Sequence, residues 1–336
     1  MNVFLIGAGF TKAVFANAPL NRELLTALAR KSRTSAAVAI CERYGTEDIE
    51  IALTRLDVDL AMLQGRRDNQ ASKLHQLRQS IGGELAQFFA SFRVSESLIA
   101  DFPWLTKFID GAFSRGDVIV SLNYDCVIEG LLDLRAKWSP KGGYGYLENP
   151  LASGRGVRKS PVTVLKIHGS ANFVIAPYID KPACQDVNFS FTEEFFPRSA
   201  KNTHFEYGAG TGTSYVIAPS YVKIPSLAIV YLMLDALRAS SRARNFVVIG
   251  SALRPEDVFL TVLTTNFLRH PAWRRRKIIV VDPSAKEITS RIQGFWGVNV
   301  SEQLLPIEGR LEVSIEKLLR SLSNGDGIKE SRGQSS

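Results

Sequence analysis

Soft metal ligands are scarce in this chain: three cysteines and four histidines in 336 residues. Cys41, Cys126 and Cys184 lie far apart and no CxxC pair occurs, which excludes a zinc ribbon and a disulfide framework and leaves reduced thiols as the expectation. His75, His204 and His270 have no supporting neighbours and read as surface or packing residues, so no metal site is expected. No apolar run approaches the ~18 residues of a membrane span. The N-terminus has neither a basic segment nor an apolar stretch long enough for a signal peptide. The expectation is therefore a cytoplasmic protein without membrane association. Internal repeats are also missing.

What is present is the composition of a globular protein, 45% hydrophobic and 22% charged, with a net charge of +8. That charge suits an anionic partner in general: a nucleotide, a nucleic acid or a membrane face. Its strongest run, Arg274-Arg275-Arg276-Lys277, directly precedes an apolar strand, and a solvated helix end or loop is its ordinary explanation. Residues 1–322 read as one domain, and 323–336 as a polar, disordered tail.

Short Val/Ile-rich runs predict buried parallel strands at Val3–Ile6, Val118–Leu122, Val162–Ile167, Tyr215–Ile217, Phe246–Ile249 and Ile278–Val281. Segments of helical spacing separate them. One places Leu227, Val230, Tyr231, Leu234 and Leu237 on a single face, with Pro225 near its first turn. Strand–helix alternation of this kind predicts an α/β fold: a Rossmann-like, doubly wound parallel sheet. From about Thr46 to Phe113 only helical patterns occur, which predicts a helical insertion between the first two strands, a candidate lid or oligomer face. "SPKGGYGYLENPLASGRG" and the stretch from Ile179 to Gly212 read as irregular connections.

The chain opens "MNVFLIGAGFTKAVF", an apolar strand that breaks on Gly7-Ala8-Gly9-Phe10-Thr11. In an open parallel sheet, ligands sit beyond the carboxyl ends of the strands, where a glycine turn exposes backbone N–H groups to a pyrophosphate. Thr11 is placed either to cap the following helix or to donate to a phosphate oxygen. The turn departs from GxGxxG, because Lys12 stands where the third glycine belongs.

Four further segments fall at predicted strand ends: "VIVSLNYDCVIEGLL", "VLKIHGSANFVIAP", "VIAPSYVK" and "FVVIGSALRPED". With "FLIGAGFT" they resemble, in order and over roughly residues 1 to 300, the sirtuin-like superfamily. The likeness is strongest to the bacterial SIR2-like branch whose members act in antiphage defence. The resemblance implies that Gly7, Ala8, Gly9, Phe10 and Thr11 hold the pyrophosphate of NAD⁺. It further implies that Asn123 and Asp125 line the nicotinamide pocket, with Asn123 facing the reacting ribose, that His168 supplies the general base, and that Gly169 and Ser170 after it contact NAD⁺. Gly250 and Ser251 would meet phosphate or ribose, and Asp282 an adenosine-ribose hydroxyl.

Two departures matter. The four-cysteine zinc module of the family's protein deacetylases is absent, and their "GIPDFR" stretch is replaced by "NAPLNREL", where Asn21 or Arg22 takes over the polar contacts. Peptide deacylation loses its support, whereas cleavage of NAD⁺ itself does not. The expectation is an NAD⁺ glycohydrolase with NAD⁺ as substrate and no resident cofactor. It would deplete NAD⁺ during phage infection and be gated by homo-oligomerisation or by a partner protein, such as an ATPase encoded nearby. The residues themselves leave alternatives open. Asn123-Tyr124-Asp125 also fits a helix N-cap. His168 also fits a strand-end turn, with neither an acidic partner nor a GxSxG elbow in the adjacent sequence. A non-catalytic NAD⁺ or ADP-ribose binding module, or a nucleic-acid binder acting through the basic residues, are the rival functions.

Overall fold

Val3–Ile6 forms strand β1, and its four side chains are wholly buried. Alternation along the strand splits them: Phe4 and Ile6 enter one hydrophobic cluster, Val3 and Leu5 the other. A strand buried on both faces belongs at the centre of a covered parallel sheet, and the computed structural model puts it there. The structure describes all residues except 33–34, 64–68, 141, 146–159, 176–188, 192–194, 200–212, 218, 222–226, 297–298 and 324–336. Cys184, Pro225, the expected tail and most of the two irregular stretches therefore lie outside the described residues.

Helices α1 (Ala8–Val14), α2 (Asn21–Ala29), α3 (Ala36–Tyr44), α4 (Ile49–Met62), α5 (Asn69–Phe89), α6 (Glu96–Asp101) and α7 (Pro103–Ala112) follow. Side-chain caps start three of them: Ser35 for α3, Asp48 for α4 and Ser95 for α6. The helix-rich segment thus begins well before Thr46. Its last helix, α7, leaves the group and packs with α12 (Leu311–Ser323) on the main sheet, Gly111 facing Leu319.

The chain continues through β2 (Val118–Ser121), α8 (Val127–Leu134), β3 (Thr163–Lys166), β4 (Gly169–Ile175), β5 (Phe189–Phe191), β6 (Thr213–Val216), α9 (Leu227–Arg242), β7 (Asn245–Ile249), α10 (Val258–Leu268), β8 (Lys277–Asp282), α11 (Ala285–Trp296) and β9 (Leu304–Glu308). Six strands make one parallel sheet in the order β3-β2-β1-β7-β8-β9. From β1 the chain works outward to one edge, then returns to β7 and works outward to the other. That is the doubly wound order, with its switch point between β1 and β7.

Three expectations need correction. Tyr215–Ile217 is not in the parallel sheet: β6 pairs antiparallel with β4 in a second sheet, β5-β4-β6, against which α5 packs. On α9 the buried face is Ile229, Leu232 and Ala236, while Leu234 is 40% exposed, so the apolar stripe is rotated from the one read in the sequence. Strand β9 was not foreseen, because Pro306 interrupts its pattern. A proline is tolerated there because β9 is the sheet edge.

Candidate functional site

The last complete row across the parallel sheet is Lys166, Ser121, Ile6, Ile249, Val281 and Ile307. Above it opens a cavity of about 1050 Å³, lined by a residue from beyond or at the end of every strand: His168, Asn123, Gly7, Ser251, Asp282 and Gly309. Its centre is the switch point.

There the turns after β1 and β7 interlock. Gly7 N donates to Ile249 O (3.0 Å), Gly9 N to Gly250 O (2.9 Å) and Phe10 N to Gly7 O (2.9 Å). A Cβ on Gly7 would stand 2.6 Å from Gly250 O, and one on Gly9 would stand 2.7 Å from Gly250 Cα. Gly250 itself has φ +60°, and a Cβ there would meet Phe10 N at 2.4 Å. These three glycines let two backbones touch. The amides of Gly7, Gly9 and Gly250 are engaged by Ile249 O, Gly250 O and Val281 O rather than offered to a pyrophosphate, contrary to the sequence expectation for Gly7 and Gly9. Gly7, Ala8, Gly9 and Gly250 still form cavity wall. Phe10 does not: its ring packs in the core, 5.9 Å from that of Phe108.

Thr11 neither caps α1 nor faces the cavity. It is buried, donating to Asp125 Oδ2 (2.7 Å) and accepting from Asn123 Nδ2 (2.9 Å). Asn123 Nδ2 also donates to Gly7 O (3.1 Å), and Asp125 Oδ1 accepts from Val127 N at the start of α8 (3.0 Å). Asp125 is thus the helix-start residue of the Asn-Tyr-Asp turn and a brace for Thr11, off the cavity wall. Asn123 is on the wall, with its two N–H donors turned to the protein. Its carbonyl Oδ1 is the group remaining for a ligand.

His168 stands two residues past Lys166, as Asn123 stands two past Ser121 on the adjacent strand. Its Nε2 lies 3.4 Å from Asp257 Oδ2, both side chains being mostly buried (14% and 17% exposed). Asp257 ends the loop between β7 and α10. It is the acidic partner that the residues around His168 lacked, supplied instead from the "RPED" end of "FVVIGSALRPED". Gly169 and Ser170 begin β4 away from the cavity. Gly169 takes φ +77°, and Ser170 donates to Tyr124 O (3.3 Å), fixing the Asn-Tyr-Asp turn from behind.

Asn21 lies on the rim, where Nδ2 donates to Glu50 Oε1 (3.0 Å), while Arg254 Nη1 binds Glu50 Oε2 (2.5 Å). This bridge ties α2 and α4 to the β7 loop. Arg254 was visible in a quoted segment, but Glu50 had no local signal beyond its place on α4. Ser251 lines the wall, its Oγ accepting from Leu253 N (3.4 Å). At the far end Asp282 accepts from Ser284 N (2.8 Å), and burial pushes its carboxyl above the ordinary range against the opposing pull of that hydrogen bond and Arg291.

Beneath the Asn-Tyr-Asp turn lies a fully buried ion pair. Lys166 Nζ is 3.1 Å from Glu129 Oε1 and donates to Asp125 O (2.5 Å), both side chains being 0% exposed. Burial opposes both charges. It pushes the Glu129 carboxyl up; on Lys166 burial is again the largest single effect and pulls the pKa down, but the Glu129, Cys126 and Asp125 side chains together outweigh it and hold the ammonium's pKa above its usual value. Among the described residues, no cluster of three or more His, Cys, Asp or Glu side chains is suited to a metal ion. Likewise no described helix is long and apolar enough to cross a membrane.

No family model matches the sequence, and no curated protein matches it. Among solved structures, the chain is similar to a mutant Sir2 homologue in complex with ADP-ribose (13% identity, TM-score 0.47, covering 98% of this chain and 94% of that one). It is also similar to a Sir2 homologue in complex with NAD (13% identity, TM-score 0.45, 96% and 89% covered).

Proposed function

We propose that this protein hydrolyses NAD⁺ to ADP-ribose and nicotinamide. The observation that carries the reading is the convergence of Asn123 and the His168–Asp257 pair on one cavity at the switch point. At about 1050 Å³ that cavity is of dinucleotide size. The order of the strand-end motifs, which resembles that of SIR2-like enzymes, supports it further.

The chemistry asks little of the protein. Nicotinamide in NAD⁺ is a pyridinium, so when the bond from ribose C1′ to nitrogen breaks, the electron pair goes to the ring and a neutral molecule leaves without a proton. Positive charge gathers on the ribose, as in other glycosyl transfers. Asn123 Oδ1 accepts an N–H of the carboxamide and fixes the ring's orientation; its own N–H groups are held by Gly7 and Thr11, so the oxygen points reproducibly. Water then bonds to C1′ and gives a proton to His168. Asp257 Oδ2, 3.4 Å from His168 Nε2, is placed to stabilise the imidazolium that forms. Asp282, at the other end of the cavity, is suited to a ribose hydroxyl.

In this reading NAD⁺ is the substrate and the protein is a cytoplasmic effector of antiphage defence. Because unrestrained NAD⁺ cleavage kills the host, the activity is gated by self-association or by a partner protein such as a neighbouring ATPase. The test is chromatography of NAD⁺ after incubation with the protein, alone and with its genomic neighbour. Free nicotinamide is expected, falling by about 10²–10⁴-fold in His168→Ala and to a similar degree in Asn123→Ala. Retained ADP-ribose binding without any nicotinamide from the wild type would make the cavity a sensor instead. Undiminished cleavage by both variants would overturn the site.

A further inference from the structure

The net charge of +8 is unevenly distributed. Arg238–Ile249 and Val258–Val281 together carry eight Arg and Lys residues and not one Asp or Glu. The fold gathers these segments at one place: the C-terminal ends of α9 and α10 and the starts of β7 and β8. Arg276 holds that corner together from inside. It is buried, and its guanidinium donates to Phe267 O (3.1 Å) at the end of α10 and to Ser241 O (2.9 Å) at the end of α9. The Arg-Arg-Arg-Lys run is therefore not uniformly solvated. One member is a structural clasp, and the clasp turns its neighbours outward.

Arg242, Arg269, Arg275 and Lys277 are exposed around it. Among the described residues, Arg242, Arg269 and Arg275 have no recorded carboxylate partner; Lys277 donates to a backbone oxygen, Glu302 O (2.6 Å). Helix dipoles account for part of this, since a cation at each helix C-terminus is favourable. Arg242 and Arg269 sit at such ends, but Arg275 closes a single 3₁₀ turn, Trp273–Arg275, and Lys277 opens a strand. The excess lies at the N-terminal edge of the sheet, the length of a strand (about 16 Å) from the cavity.

We propose that this basic face binds the phosphodiester backbone of a nucleic acid. Guanidinium forks match phosphate oxygens in pairs, and three of these four cations are arginines. A lipid surface is the poorer fit. Membrane-surface helices lie flat and present an apolar stripe beside their charges, whereas α9 and α10 meet this face end-on. Binding of this kind reads charge rather than sequence, weakens steeply with salt, and leaves the distant cavity open.

The experiment is fluorescence anisotropy of a labelled 20-base-pair DNA duplex titrated with the full chain at several salt concentrations. Wild type is expected to bind at 50 mM NaCl, with log K falling against log salt at a slope near −3, about three phosphates neutralised. The triple variant Arg242→Glu/Arg269→Glu/Arg275→Glu should lose at least tenfold in affinity with an unchanged circular dichroism spectrum. Lys73→Glu/Lys317→Glu/Arg320→Glu, an equal change of net charge elsewhere on the surface, should stay within about twofold. The proposal is overturned if the wild type fails to bind the duplex or if both triples lose affinity equally. Retention on phosphatidylserine vesicles without duplex binding would also overturn it and assign the face to lipid.

Discussion

The two sides of the switch point are held rigid by opposite means. Between β1 and β7 the turns lock because side chains are missing: Gly7, Gly9 and Gly250 let backbone meet backbone. Between β1 and β2 the turns lock because side chains are present: Thr11, Asn123 and Asp125 hydrogen-bond in a closed set above the Lys166–Glu129 pair. A glycine in a strand-end motif is easily taken for a ligand contact, and here its first task is to admit another turn. A polar residue in such a motif is as easily taken for a ligand contact, and two of these three, Thr11 and Asp125, lie off the cavity wall and serve their neighbours instead.

The contrast predicts that one side breaks by removing atoms and the other by adding them. The largest effect is expected from Lys166→Met, which strands the Glu129 carboxylate in the core and costs about 3–5 kcal/mol by urea denaturation at pH 7. Lys166→Met/Glu129→Leu should recover most of it, and a double variant as unstable as the single one would refute the account. On the glycine side, Gly250→Ala combines a left-handed backbone with a methyl driven into Phe10 N, for about 2–4 kcal/mol of lost stability. A thermal midpoint like that of wild type would mean that the seam yields.

Thr11→Val is milder. It keeps the shape but removes one partner each from Asn123 and Asp125, costing about 1–2 kcal/mol, and it should slow nicotinamide release by freeing the Asn123 amide to turn. The smallest effect is at Asp282. Its carboxyl is raised by burial, so ionisation at neutral pH works against the fold, and the stability this group contributes is present at low pH and lost as pH rises through its folded pKa. Asp282→Asn is therefore expected to be more stable than wild type at pH 7 by under about 1 kcal/mol, the difference vanishing toward pH 3. A difference that grows on acidification would reverse the assignment.

The sequence disclosed the parallel sheet well, because buried two-faced strands such as Val3–Ile6 and Ile278–Val281 have an unbroken apolar signature. It disclosed the second sheet poorly, since β4 begins on Gly169-Ser170-Ala171-Asn172 and lacks that signature. The placement of Asn123 and His168 on the cavity wall was legible because each follows a strand end closely. Asp257, Glu50 and Lys166 were not, for their meaning lies in partners far along the chain: His168, Arg254 and Glu129. The bracing of Thr11 by Asp125 was missed for the same reason, their bond spanning 114 positions, whereas the place of Asp125 at a helix start was among the readings the residues allowed.

The central place of β1 has a consequence for how the molecule comes into being. Asn2 and Asn245, bonded across β1 and β7, are 243 positions apart, so at ordinary elongation rates the ribosome delivers the second on the order of ten to fifty seconds after the first. Throughout that interval one flank of the opening strand has nothing to pair with. Nascent chains cannot assemble the strand-end cavity until β7 emerges, and a translation product cut short before β7 lacks Gly250, Ser251 and Asp257 from its wall.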